Sequence, residues 1–350
     1  MKENIFVLDC TLRDGGFAIE DGARYESGIK IFDSDERKEL ASLLIAANAD
    51  IVEIGSIELS EDDKRGFAIY QSIEDVSKII PVSSNCAALF RGPDTPFDDI
   101  PYWAEGLCKN VRVIMRYSEL QKSIDFCAML AKKGYNVFVQ PMVTMRYTEQ
   151  EIDLLIKSVN SFGAFALYFV DSYGYMQNSD VEFYFERFDK DLESSVKIGF
   201  HAHNNLNLAF SNAMKFIDIA QKAKRGIIID STIMGMGQGA GNLQTELFFL
   251  HMNKNTTNAA AKPKYNLDAV FDACEIIEKH TEDSLWGYSL CYMLGAACGT
   301  AYKLAVDMRK SYNLPYKKIY ELLSNIKPEY IHRYTHDTVE KILQENSAII

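Results

Sequence analysis

Several features are scarce in this 350-residue chain, and each scarcity closes off a class of function. No uninterrupted apolar stretch approaches the ~20 residues needed to cross a bilayer, although 47% of the residues are hydrophobic. That hydrophobic content goes into a core, and the length allows one large domain or a large one with a small companion. Positive charge is sparse: 37 Lys and Arg stand against 49 Asp and Glu, a formal net charge of −12, with no basic cluster able to neutralise a run of phosphates. Nucleic acids and membranes are therefore not expected as partners. The seven cysteines are odd in number, scattered, and without a C-x-x-C pair, and residues 1–10 lack the charged-then-apolar pattern of a secretion signal. A reducing, cytoplasmic setting is expected, with Cys10, Cys86 and Cys127 packed rather than activated as thiolates.

Histidine is also rare, six in all, yet two fall in Lys197-Ile-Gly-Phe-His201-Ala-His203-Asn-Asn-Leu206. This stretch reads as a short apolar strand, a polar turn, and an apolar-periodic segment over 206–220. Residues i and i+2 of a strand point to the same side. His201 and His203 can then aim two imidazoles at one point, as a divalent metal requires, or simply hydrogen-bond within a polar loop.

The same alternation runs through most of the chain. Strand-like runs at 5–9, 50–55, 80–85, 110–116, 136–141, 164–171, 196–201 and 226–231 are each followed by a helical or loop segment, as at 118–133 and 149–162. Eight such units in about 250 residues predict an α/β fold, a (β/α)₈ TIM barrel over 1–255, with a doubly wound sheet as the rival. Arg13, Asp14, Gln140, Asp171, His201 and His203 all fall at C-terminal strand ends, which surround one mouth in a barrel but lie along an edge in an open sheet. The pattern favours closure. Beyond a linker at 253–263 the β signal vanishes, and helix-like patterns at 267–279, 285–310, 316–324 and 335–344 predict a helical C-terminal domain over 263–350. Its apolar segment around Trp286, Tyr288 and Tyr292 needs cover, from the barrel, across the mouth, or from another chain.

Asp14 supplies the carboxylate that would complete a facial set with His201 and His203, leaving positions open for substrate. The commoner alternative is that Asp14 caps a turn and Arg13 pairs with an acidic neighbour such as Glu53. Two glycines, Gly15 and Gly16, are read as a sharp turn after the first strand. Ser231 to Glu246 packs four glycines into seven residues after the last strand, a loop suited to close ligand approach or to a tight turn. It does not follow the first strand, so a dinucleotide fingerprint is disfavoured.

Taken together, Leu12-Arg13-Asp14-Gly15, His201-Ala-His203-Asn204 and Gly235-Met-Gly-Gln-Gly-Ala-Gly-Asn242 resemble the DRE-TIM metallolyase superfamily, which includes hydroxymethylglutaryl-CoA lyase and the isopropylmalate and homocitrate synthases. The glycine loop and helical C-terminal region look most like those of the 4-hydroxy-2-oxovalerate aldolases. The resemblance implies that Asp14, His201, His203 and Asn242 bind Mn²⁺ or Mg²⁺, and that Arg13 steadies an enolate formed from a 2-oxo acid, with an aldehyde as the other product. It also implies a mouth role for Asp171, with a loop cap as the alternative, and a substrate contact for a C-terminal tyrosine, Tyr292 or, second, Tyr288. Glu53, inside the second strand, is placed to orient Arg13. The aldolases carry a histidine three residues after the metal aspartate, where this chain has Phe17. Glu20, Asp21 or a metal-bound hydroxide would then have to act as base, or the substrate differs, or the reaction is lost. A Claisen-type acyl-CoA-dependent synthase or lyase and a non-catalytic metal-binding homologue stand as alternatives. The C-terminal helices are expected to mediate homo-oligomerisation and could dock a partner enzyme.

Overall fold

In the computed structural model, which describes residues 4–60, 62–79, 85–254, 263–283, 285–332 and 334–346, the strands form one closed parallel barrel. They are β1 (Ile5–Asp9), β2 (Ile51–Ile57), β3 (Ile69–Tyr70), β4 (Cys86–Phe90), β5 (Asn110–Met115), β6 (Asn136–Pro141), β7 (Ala166–Asp171), β8 (Lys197–Ala202) and β9 (Ile227–Ser231). Their order is β1-β9-β8-β7-β6-β5-β4-β2, closed by β1 pairing with β2, and the two-residue β3 lies on the outside of β2. The fold is thus a TIM barrel, with C-terminal helices added.

The helices are α1 (Thr11–Ala23), α2 (Ser34–Ala46), α3 (Ile73–Val76), α4 (Leu120–Lys132), α5 (Glu149–Phe162), α6 (Asn178–Asp191), α7 (Ala209–Ala223) and α8 (Thr245–Lys254), then α9 (Leu267–Glu278), α10 (Leu290–Ala297), α11 (Tyr302–Lys310), α12 (Tyr316–Ser324) and α13 (His336–Glu345). Sequence chemistry sets several of their starts. Asp33 before α2 and Thr148 before α5 each form a capping box with a glutamate three residues on.

Three local expectations are corrected. Gly15 and Gly16 do not turn the chain; they lie within α1, which begins two residues after β1 ends. Their bareness serves packing, since a Cβ on Gly16 would sit 2.0 Å from the Phe67 carbonyl oxygen. The third barrel strand is Cys86–Phe90 rather than 80–85, of which 80–84 lie outside the described residues. Its CAALF sequence is entirely buried, and alanines disguise a strand because they have low β propensity. The apolar run 285–310 is two helices, α10 and α11, starting only at Leu290. Gly299, at φ +64°, takes the left-handed conformation just past Cys298 and ends α10.

One large core joins the barrel strands to the surrounding helices, and it includes Val270, Ala273 and Ile277 of α9. A smaller core of α10–α13, with Leu304, Met308, Ile319 and Val339, reaches the barrel at Tyr173. Of the expected linker, 255–262 lie outside the described residues. Among the described residues, no helix is long and apolar enough to cross a membrane.

Candidate metal centre and active-site cavity

The end of β1 runs directly into α1, so Arg13 and Asp14 occupy the first turn of a helix at the barrel mouth. Both are buried, and a carboxylate is favoured there by the helix dipole. From β8, His201 points Nε2 at Asp14 Oδ2, 3.6 Å away, and the two imidazole rings lie 4.9 Å apart. The ligating atoms of Asp14, His201 and His203 all fall within 4.8 Å of one another.

Their tautomers follow from their partners. His203 Nδ1 is 2.9 Å from the Asp171 carbonyl oxygen, which can only accept, so Nδ1 carries the hydrogen. His201 Nδ1 is 2.9 Å from Asp230 Oδ2. Burial raises the Asp230 pKa, but the Arg112 guanidinium and His201 outweigh it, so that carboxyl is held below its ordinary value and accepts too. Both Nε2 lone pairs are therefore free for a metal, in the arrangement that usually orients ligating histidines. Burial keeps His203 neutral by lowering its pKa to about 4. It also opposes the Asp14 charge, yet Arg13 and the two imidazoles hold that carboxyl at about 2. Asp14 and His203 thus need shed no proton to bind a cation.

The glycine-rich loop after β9 seats the fourth residue. Gly241, at φ +86°, has no room for a Cβ, which would lie 2.0 Å from the Gly235 oxygen; the loop folds on itself, and Asn242 N donates to that same oxygen at 3.0 Å. A Cβ on Gly237 would meet Asn242 Nδ2 at 2.4 Å. Asn242 Nδ2 donates to Asp14 Oδ2 at 2.5 Å, and its Oδ1 is buried with no partner among the described residues. An orphaned amide oxygen beside a carboxylate and two imidazoles suits a hard or borderline divalent cation. A second trio, Cys10, His201 and Asp230, does not compete: burial pushes the Cys10 thiol far up, and it donates to the Ser231 carbonyl oxygen.

Beneath the site lies a chain of buried charges. Arg13 Nε donates to Glu53 Oε2 at 2.7 Å, Arg112 Nη1 donates to the same oxygen at 2.7 Å, and Arg112 Nη2 pairs with Asp230. Tyr168 donates to Asp230 Oδ1 at 3.0 Å. Glu53, β5's Arg112 and β9's Asp230 point into the barrel at essentially zero exposure. The expected role of Glu53 in orienting Arg13 has this contact behind it. Arg112, Tyr168 and Asp230 belong to no sequence motif, and a charge inside an apolar strand, as in NVRVIM or IIIDS, is the signal available for the two charged ones.

Above the centre opens a cavity of about 460 Å³ lined by Arg13, Asp14, Phe17, Gln140, His201 and His203 from the barrel. The C-terminal segment lies over it and contributes Tyr302, Lys303, His332 and Tyr334. Trp286 ties that segment down by donating to the Met234 carbonyl oxygen at 2.9 Å.

Two expected catalytic residues sit elsewhere. The Asp171 carboxylate accepts from the amides of Tyr175 (2.9 Å) and Met176 (3.1 Å), capping its own loop, and reaches His203 only through its backbone oxygen. Burial pushes that carboxyl up to about 7 despite those bonds. Tyr292 lines a neighbouring cavity, 5.1 Å from the ring of Tyr302, and Tyr302 lines both that cavity and the one above the candidate metal centre. Tyr288 is 63% exposed. Phe17 lies under the guanidinium groups of Arg91 (4.4 Å) and Arg13 (5.4 Å). Neither suggested substitute base lines this cavity: Glu20 is paired with Arg91 and Lys64, and Asp21 with Lys303.

A match to the HMGL-like family extends over residues 4–277. The chain belongs to the HMGL-like family. Among its HMGL-like relatives is the 4-hydroxy-2-oxovalerate aldolase of Carboxydothermus hydrogenoformans, 30% identical over 252 residues, which are 71% of this chain and 70% of that one. The oxaloacetate decarboxylase of Mycobacterium tuberculosis is 25% identical over 277 residues, 76% of this chain and 74% of that one. The HMGL-like fold is shared with the N-terminal domain of a Bacteroides vulgatus protein provisionally described as an aldolase, at a TM-score of 0.70 and 24% identity, covering 88% of this chain and 98% of that one.

Proposed function

We propose that this protein is a carbon–carbon lyase that breaks or forms the bond next to the ketone of a 2-oxo acid, its substrate being a 4-hydroxy-2-oxo acid or close relative. The single observation that carries this reading is the convergence of two imidazoles on an ionised carboxylate beside a buried arginine at the floor of one cavity. Asp14, His201, His203 and Asn242 would hold Mn²⁺ or Mg²⁺. A bound divalent cation supplies Lewis-acid polarisation of the ketone.

This chain's own groups do the rest. Arg13, fixed by Asp14 and Glu53, presents a guanidinium that cannot lose its proton to the charge that develops on the enolate oxygen. The lining carries Arg13, Arg116, Arg146 and Lys303; carboxylates pair with Arg13, Arg116 and Lys303, and the Arg146 guanidinium stacks on Tyr117 at 4.1 Å, where it offers a charge to an anionic substrate. Gln140 adds a buried amide nitrogen without a partner among the described residues. A cytoplasmic setting agrees with seven free cysteines.

Phe17 favours a second reading, decarboxylation of a 2-oxo acid with a carboxylate on the next carbon. Loss of CO₂ leaves the enolate without any base having to remove a hydroxyl proton, and an apolar ring at position 17 costs that reaction nothing. Both readings share the enolate, and one experiment tests it: exchange of the pyruvate methyl protons in D₂O, followed by NMR with Mg²⁺ and with chelator. Exchange that requires the metal is expected. Exchange indifferent to chelator, or none at all, would overturn the enolate reading.

A further inference from the structure

Phe17 cannot carry a proton, and exchange or turnover at the carbon next to the ketone needs a group that can. The cavity lining narrows the choice. Arg13, Arg116 and Arg146 stay charged. Asp14, His201 and His203 belong to the candidate metal set, and Lys303 is paired with Asp21. Phenols ordinarily titrate near about 10, and burial pushes those of Tyr173, Tyr302 and Tyr334 higher still. Of the three histidines in the lining, His332 alone lies outside the candidate metal set, and an imidazole can both take and return a proton near neutrality.

We propose that His332, brought over the barrel mouth by the loop between α12 and α13, is the proton-transfer residue of this cavity. The inference rests on the enolate reading of the same site. His332 lines the cavity opposite the barrel residues, its ring stacks on Tyr173 at 5.6 Å with an interplanar angle of 14°, and its Nδ1 lies 3.2 Å from the Tyr173 hydroxyl. The stack and the hydrogen bond together fix the plane of the imidazole. The Ala301 amide donates to the Ile331 carbonyl oxygen at 3.0 Å, which anchors the segment beside α11. With Nδ1–H donating to the Tyr173 hydroxyl oxygen, the Nε2 lone pair is left to take the proton. The C–H bond at the methyl carbon breaks, the proton passes to Nε2, and its electron pair forms the carbon–carbon double bond of the enolate as the ketone π electrons move onto oxygen. The reverse step returns the proton to carbon.

The groups that face the imidazole or share its cavity are the Tyr173 hydroxyl from the loop after β7, the Arg146 guanidinium from the turn after β6, Lys303 and Tyr302 from α11, and Tyr334 from its own segment. Burial first, then Arg146, lowers the His332 pKa below its ordinary value, so the ring is a neutral base at pH 7. Protonation on acidification removes that base, so the exchange rate should fall as the pH drops below the ordinary imidazole range.

The test compares pyruvate methyl exchange, with Mg²⁺, in the wild type, His332→Gln and His332→Ala. General acid–base groups typically contribute about 10²-fold or more. The His332→Gln exchange constant at saturating pyruvate should fall by about that factor, while half-saturation by pyruvate and Mn²⁺ affinity, read by electron paramagnetic resonance, stay within about twofold. Added imidazole should restore part of the rate in His332→Ala. Should either variant misfold, Tyr173→Phe keeps the stack, removes the hydroxyl, and should displace the acid limb of the rate profile. A His332→Gln rate close to wild type, or an unmoved acid limb in Tyr173→Phe, overturns the proposal while leaving the enolate reading intact. A wild type that shows no exchange overturns both.

Discussion

Asp230 contributes no atom to the lining of the cavity, yet it determines which nitrogen of His201 faces it. The same carboxylate accepts from Arg112 and Tyr168, so one residue positions a ligand and neutralises a buried cation. Partners of this kind typically account for about 10- to 100-fold in metal affinity. Asp230→Asn should therefore weaken Mn²⁺ binding by roughly that factor, measured by titration calorimetry, because the carboxamide can offer its NH₂ to His201 and so favour the wrong tautomer. It should also lower stability by about 3–5 kcal/mol in urea unfolding, since Arg112 loses a fully buried counter-charge. Unchanged Mn²⁺ affinity would show that Asp230 serves the barrel interior and not the metal centre.

At the scale of elements, α1 is where packing and chemistry meet. It carries Arg13 and Asp14, and it lies close against the loop before β3 because Gly16 has no side chain. In an exposed helix, Gly to Ala would stabilise by about 0.5–1 kcal/mol. Here the new methyl group would meet the Phe67 carbonyl oxygen at 2.0 Å, a backbone atom that cannot rotate away. Gly16→Ala should instead destabilise, by about 1–3 kcal/mol as for other overpacked sites, and lower the methyl-exchange rate by displacing Asp14. A thermal melt equal to or above that of the wild type would contradict this placement of α1. The helix break at Gly299 acts similarly: α11 begins just after it, and Tyr302, unlike Tyr292, lines the cavity above the candidate metal centre.

At the scale of the molecule, the helices after the barrel are part of its active cavity. Helix α9 shares the main core, Trp286 fastens the next segment to the glycine-rich loop, and Tyr302, Lys303, His332 and Tyr334 line the space above the candidate metal centre. A chain ending at Lys254 would expose the barrel surface that Val270, Ala273 and Ile277 now cover. It should aggregate on size-exclusion chromatography, and any soluble fraction should lack methyl exchange. A monodisperse truncation with wild-type exchange would make these helices dispensable.

By itself the sequence determined the alternating strand–helix pattern, the placement of Arg13, Asp14, His201 and His203 at the barrel mouth just after or at the ends of strands, and the glycine-rich loop before Asn242. Those features are local: side-chain periodicity, capping chemistry and strand-end position are set within a few residues. Tertiary structure alone decided the rest. The Arg13–Glu53–Arg112–Asp230–His201 chain joins five residues spread across four strands and a helix, and nothing local couples them. Asp171 could be placed at the mouth from sequence, but the direction of its carboxylate depended on the loop amides that close around it. The choice of Tyr302 over Tyr292, and the arrival of His332 above the barrel, depend on how a helix broken by one left-handed glycine packs against a surface more than a hundred residues earlier in the chain, where burial and not periodicity sets the register.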